Sequence, residues 1–158
     1  MKTAIIYTSW HGTTESIAQT IAEKLGSENC QIINLKKQTK INTDNYDHVI
    51  LGSSIHAGNI SGKMKKFISK NTLTLLQKKL GLYICCMDPN RELIQFETAF
   101  PDILRKHASA MAILGGEFKM EKMNFFERLI VKKVSGITES KSKIKTEEIE
   151  KFIHDFKN

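Results

Sequence analysis

The chain has 158 residues, of which 41% are hydrophobic and 26% charged. That is enough for one domain with a full core, and the balance excludes a disordered or fibrous protein. No run of about 20 apolar residues offers a membrane span, while a net charge of +7 points to an anionic partner such as nucleic acid, an acidic membrane surface or a carboxylate-bearing substrate.

An apolar, β-favouring run, Thr3–Thr8, opens the chain after a single lysine, so no signal peptide is expected. It stops at a hydroxyl-rich loop. Five of the seven positions from Thr8 to Thr14 are Ser, Thr or Gly, and Ile17, Ala18, Ile21, Ala22 and Leu25 then follow at helical spacing. A strand, a Ser/Thr/Gly loop and a helix start together make an anion trap. The first amides of the helix have no internal partner, and its dipole is positive there. The hydroxyls of Ser9, Thr13 and Thr14 can complete the shell without a cation, which suits a terminal phosphate that is held and not transferred. A lysine-bearing nucleotide loop and a dinucleotide glycine motif are both missing. The alternative is an ordinary Ser/Thr helix cap with Gly12 in a tight turn.

Further strand-like runs are expected at Gln31–Leu35, His48–Gly52, Leu82–Cys86 and Met111–Leu114. Met64, Phe67 and Ile68 form one helical stripe between them. Leu93, Phe96, Phe100, Ile103 and Leu104 form another, bent near Pro101. Ile149, Phe152, Ile153 and Phe156 close the chain at i, i+3, i+4, i+7, with Thr146 the expected cap. Strands alternating with helices predict a doubly wound parallel sheet, whose ligands sit at the carboxyl ends of the strands. Three strand-end loops, Ser9–Thr14, Ser53–Gly62 and Met87–Arg91, should therefore face one crevice.

The segment 117–145 breaks the alternation. It carries eight basic residues against four acidic ones, so +4 of the net charge sits in under a fifth of the chain. Met123, Phe126, Ile130 and Val134 share a face on a helical wheel, with Arg128, Lys132 and Lys133 elsewhere. Such an insert reads either as a surface element for a membrane or partner, or as a cover packed on the sheet.

Other motifs are weaker. Cys30, Cys85 and Cys86 form an odd, irregular set that predicts reduced thiols in a cytoplasm. Cys85 and Arg91 have the spacing of a cysteine phosphatase, but Asp88 and Pro89 spoil the anion cradle between them. No metal site is proposed, since His48, His107 and His154 lack grouped ligands. With only Phe125 and Phe126 in the basic segment to stack on bases, nucleic acid is not an expected partner.

Taken together, these features resemble the flavodoxin family. The Ser9-Trp10-His11-Gly12-Thr13-Thr14-Glu15 loop matches the family's [ST]-x-x-G-x-T phosphate loop. The stretch from Asn45 to Ser54 matches its third strand and second flavin loop, and Gly62–Ile68 the next helix. A narrower resemblance is to menaquinone-dependent protoporphyrinogen dehydrogenases. It rests on Gly52-Ser53-Ser54-Ile55-His56, on Leu114-Gly115-Gly116, and on the block from Asn124 to Gly136, which in that group is an insertion before the last helix. The resemblance implies a single flavodoxin-like domain over 1–158, with a five-stranded parallel sheet and a basic amphipathic insertion at 117–145.

It also implies FMN as cofactor. The phosphate would lie at Ser9, Trp10, His11, Gly12, Thr13 and Thr14, with the amides of His11 to Thr14 as donors. One side of the ring would lie at Ser53, Ser54, Ile55, His56, Ala57 and Gly58, and the other at Met87, Asp88, Pro89 and Asn90. Neither ring loop offers the aromatic residue that flavodoxins usually place there. Trp10 could shield the ribityl chain or pack exposed on the first helix. His56 could donate a proton near the flavin, meet an anion, or be a plain loop residue.

The implied activity is oxidation of protoporphyrinogen IX, a step of heme biosynthesis, with a membrane quinone as acceptor. Arg91, Lys119, Lys122 or Arg128 would meet the propionates. The protein would then be cytoplasmic and peripheral at the inner face of the membrane. The alternative is a soluble electron carrier that docks to redox partners.

Overall fold

The computed structural model describes residues 1–118, 120–135 and 141–158. Five parallel strands form the central sheet: β1 (Thr3–Thr8), β2 (Cys30–Asn34), β3 (His48–Ser54), β4 (Lys79–Cys85) and β5 (Ala110–Ile113). Their order is β2-β1-β3-β4-β5. Strand order reverses between β1 and β3, which pair from Thr3↔His48 to Thr8↔Ser53. The loops leaving these two strands therefore flank the switch point, where such sheets bind ligands.

The strands are apolar on both faces because both are covered. On one side α2 (Gly62–Leu75), α3 (Glu92–Ala99) and α4 (Asp102–His107) bury Met64, Phe67, Ile68, Phe96 and Leu104 with Ile6, Leu51 and Leu82. On the other, α1 (Thr13–Leu25) and α6 (Thr146–Lys157) bury Ile17, Ile21, Phe152 and Phe156 with Ile5, Ile50 and Tyr83. The expected bend at Pro101 is a break, with Phe100 extended and a new helix beginning at Asp102. Proline disfavours the helical conformation in the residue before it. At the last helix Lys145, not Thr146, takes the cap position and leaves Thr146 as the first helical residue. Lys145 is held there by its amide on the Leu114 carbonyl and its ammonium on Glu92, 3.0 Å away.

The insert leaves and re-enters at one place. Glu117–Phe118 (β6) pairs antiparallel with Lys141–Ser142 (β7), and the Lys143 amide bonds to the Gly116 carbonyl at 2.8 Å. Between them lie a short 3₁₀ turn, Met120–Lys122, and helix α5 (Phe125–Ser135). A capping box starts α5: the Glu127 amide donates to Asn124 Oδ1, and the Asn124 amide to Glu127 Oε2, both at 2.9 Å.

Candidate flavin site

The phosphate loop is shaped by Gly12, which adopts φ 93° at the cap position of α1, where a residue with a side chain is strained. No side chain caps the helix. Ser9 Oγ instead accepts the Gly12 amide at 2.9 Å, so that amide is already engaged within the loop. This decides against the plain-cap alternative for the threonines. Thr13 Oγ1 and Ser54 Oγ are buried with no hydrogen-bond partner, and Thr14 Oγ1 has only the Cys85 thiol, a weak partner, beside it. A buried hydroxyl left unsatisfied costs about 1–3 kcal/mol, and an anion seated here would recover it. The one acid at the helix start, Glu15, lies beside the Tyr7 phenol, whose pKa it helps burial to raise. Beneath the loop, Tyr83 Oη reaches the Thr14 carbonyl at 3.3 Å. Gly52 permits this, since a Cβ there would overlap the Tyr83 ring.

The second loop is a tight turn. His56 and Asn59 exchange backbone hydrogen bonds of 2.9 and 3.1 Å, and both residues between them, Ala57 (φ 48°) and Gly58 (φ 78°), are left-handed. The His56 ring stacks on Trp10. Trp10 is thus half exposed yet fixed, and it bridges two loops where sequence left it open between two roles.

A cavity of about 550 Å³ unites the three loops, within the usual range for small-molecule sites. Ser9, Trp10, His11 and Thr13 line it from the first loop, Ser54 to Gly58 from the second, and Met87, Asp88 and Arg91 from the third. The other expected residues hold different places. Ser53 is fully buried below the cavity, its hydroxyl 2.8 Å from Thr8 Oγ1. Pro89 and Asn90 are exposed on the turn outside the lining, because the Asn90 amide closes a turn on Asp88 Oδ1.

The insert supplies another wall through Glu117, Met123, Glu127, Ile130 and Val131. The expected helical face needs correction, since Phe126 stands out in solvent at 74% exposure with Phe125 at 69%. The capping box starts the helix after Met123, so Glu127 and Val131 turn inward and Ile130, 62% exposed, touches the cavity only at its rim. Val134's side chain lies outside the described residues, as does Lys119. Of the expected anion-binding residues, Arg91 reaches the cavity. Arg128 is exposed and donates its Nε to the Met123 carbonyl at 3.1 Å. Lys122 stands over Gly12.

Cys85, Cys86 and Gln95 also line the cavity; the two cysteines were legible in the sequence as reduced thiols at a strand end but not as site residues, and Gln95 was not singled out. Cys86 donates its thiol to Gln95 Oε1. Burial pushes the Cys85 thiol up to about 12, so it is protonated and no nucleophile at neutral pH. All three cysteines are free.

The family profile described as a flavodoxin domain matches residues 4–145. The chain belongs to the flavodoxin-domain family. Among relatives, it is 23% identical over 147 residues to protoporphyrinogen IX dehydrogenase [quinone] of Escherichia coli strain K12, covering 86% of this chain and 81% of that protein. The fold is similar to rubredoxin oxygen:oxidoreductase from Desulfovibrio gigas, with TM-score 0.59 and 14% identity. That match covers 99% of this chain, which spans only 34% of that longer one. It is also similar to a flavoprotein in complex with FMN from Lactobacillus acidophilus, with TM-score 0.50 and 16% identity over 73% of this chain and 91% of that one.

Proposed function

We propose that this flavodoxin-domain protein is an FMN-dependent oxidoreductase that oxidises protoporphyrinogen IX and passes the electrons to a membrane quinone. FMN supplies the electron-accepting ring. Thr13, Thr14 and the first amides of α1 hold its phosphate, while Ser54 to Gly58 and Met87–Asp88 hold the ring from either side. The buried hydroxyls of Thr13 and Ser54, which have no partner, and of Thr14, which has only the Cys85 thiol beside it, are the structural support for a phosphorylated, polar-tailed cofactor.

The observation that carries the substrate reading is the wall made by the insert. Met123, Ile130 and Val131 give the cavity an apolar side next to the Arg91 guanidinium at its rim. A flat apolar molecule with carboxylate arms matches that pairing. An electron carrier needs no such wall, only an accessible ring edge. His56 stands where it can take or give a proton beside the ring, and its stack on Trp10 holds it there.

The insert also supports a place at the membrane. The outer face of α5 exposes Phe125, Phe126 and Leu129 with Arg128, Lys132 and Lys133 close by, a pattern suited to an anionic bilayer surface where quinone is found. Among the described residues no helix is long and apolar enough to cross a membrane. On this reading the protein works from the cytoplasmic face. The deciding experiment is anaerobic turnover of protoporphyrinogen IX by the FMN-loaded protein with a menaquinone analogue. Porphyrin formation that needs both flavin and quinone supports the reading. Loaded protein that exchanges electrons with small redox partners but forms no porphyrin is a carrier.

A further inference from the structure

We propose that Lys122 of the insert is the cation of the phosphate site, and that it ties the seating of the insert to the presence of a phosphorylated ligand. This rests on the FMN reading and goes beyond it, since the loop itself carries no basic side chain other than His11. Lys122 Nζ lies 3.2 Å from the point where a Cβ on Gly12 would stand. The ammonium therefore sits over the residue that caps α1, next in the chain to Thr13, whose buried hydroxyl lacks a partner. Thr13 is only 6% exposed, so its unpartnered hydroxyl belongs to the built loop, while Lys122 itself stands in solvent.

A phosphate dianion held by hydroxyls and amides alone keeps most of its charge uncompensated. A lysine delivered from outside the loop adds an ion pair in which donor and acceptor are both charged, beyond what the neutral donors of the loop supply. The cost of bringing that lysine falls on the insert. Met123, the next residue, is buried against the cavity, and the capping box of α5 begins one residue later. Phosphate contact at Lys122 and packing at Met123 are thus made or lost together. Coupling of this kind is reciprocal: a phosphorylated ligand favours the seated insert, and the seated insert raises the ligand's affinity by the same factor. Lys122 accordingly serves the phosphate, not the carboxylates of a substrate.

The test uses the full chain freed of flavin, titrated with FMN and with riboflavin, which has the ring and ribityl chain but no phosphate. Lys122→Gln should weaken FMN binding roughly ten- to hundredfold and leave riboflavin binding unchanged. Lys122→Arg, which keeps the charge, should stay within a few-fold of the parent for both ligands. FMN should also protect the Lys132–Lys133 bonds of α5 from trypsin, and riboflavin should not. Equal weakening of both flavins by Lys122→Gln, an unchanged FMN affinity, or an equal loss in the Arg and Gln variants would overturn the proposal while leaving the FMN reading intact. A parent protein that binds neither flavin would remove that reading and this proposal with it.

Discussion

The indole of Trp10 lies on the imidazole of His56, with ring centroids 4.5 Å apart and planes inclined by 23°. On its other face sits Lys36 Nζ, 3.9 Å from the ring centroid. One side chain of the phosphate loop is thus held between the end of β2 and the second loop. A stacked aromatic pair contributes about 0.5–1.5 kcal/mol beyond its buried area, and an exposed cation–π contact about 0.5–1 kcal/mol. The indole lies at the cavity and is the chain's only tryptophan. Flavin binding should therefore quench tryptophan emission stoichiometrically, and Trp10→Leu should loosen the second loop and weaken both FMN and riboflavin. Emission unaltered through an FMN titration that saturates by absorbance would place the ring elsewhere.

Thr14→Val should act in opposite directions with and without ligand. Without it, the buried Thr14 hydroxyl has only the Cys85 thiol, a weak partner, beside it, so an isosteric apolar side chain should leave the melting temperature unchanged or raise it by a few degrees. With it, the variant loses a hydrogen bond to a charged group, on the order of 1.5–3 kcal/mol or roughly ten- to hundredfold in FMN affinity. Calorimetric melts of both forms check the two signs. A fall in ligand-free stability would mean the hydroxyl has a stronger structural partner.

The sheet was legible because each strand is an uninterrupted apolar run, and both faces of Val49, Ile50 and Leu51 are in fact buried. The three loops were legible because strand ends in such sheets converge by topology alone. Other features needed three dimensions. Sequence separates Trp10 from His56 and Gly12 from Lys122, and nothing in local spacing says that they touch. Helical periodicity gave the insert the right element but the wrong rotation, since the Asn124–Glu127 capping box sets where α5 begins. Ala57 was unreadable for another reason: alanine gives no turn signal, and its left-handed backbone is imposed by the hydrogen bonds between His56 and Asn59.

That strained alanine is a lever. A non-glycine residue in the left-handed region carries about 1–2 kcal/mol of strain. Ala57→Gly relieves it and adds chain entropy to the unfolded state, so the net gain should be under about 1 kcal/mol. Ala57→Val adds a β-branched side chain to the same conformation and should destabilise by more than the glycine gains. Urea unfolding of the three proteins gives the order Gly, Ala, Val. A glycine variant less stable than the parent would show that the turn is not strained.

Alkali should unfold the protein through Cys85. Burial raises its thiol from an ordinary 9.0 to about 12, so the unfolded chain loses this proton before the folded one does. Stability is thus intact below pH 9 and declines between pH 9 and 12, by about 1.4 kcal/mol per pH unit for this group alone. Tyr7, raised from 10.0 to about 12 chiefly by burial, adds to the decline in the upper part of that window. Melting temperatures from pH 8 to 11 should fall less steeply for Cys85→Ala than for the parent. Parallel curves would assign the alkaline loss to other groups.

The outer face of α5 separates two contributions to membrane docking that other surfaces confound. Phe125 and Phe126 meet edge to face, their ring centroids 5.9 Å apart, and together present an apolar knob that nothing among the described residues covers. Inserting a phenylalanine into the headgroup boundary contributes up to about 1.5–3 kcal/mol, whereas each lysine near an anionic surface contributes about 1 kcal/mol. The apolar contribution is insensitive to salt and the basic one is screened within about 10 Å at 0.1 M. In flotation with vesicles, Phe125→Ser with Phe126→Ser should lose binding at every salt concentration. Lys132→Gln with Lys133→Gln should lose it mainly at low salt and only on acidic vesicles. Both pairs lie on the solvent side of the helix, away from Glu127, Ile130 and Val131, so flavin affinity should be unchanged in each. Parent protein that floats equally with neutral and acidic vesicles, or with neither, would make α5 a wall of the cavity and nothing more.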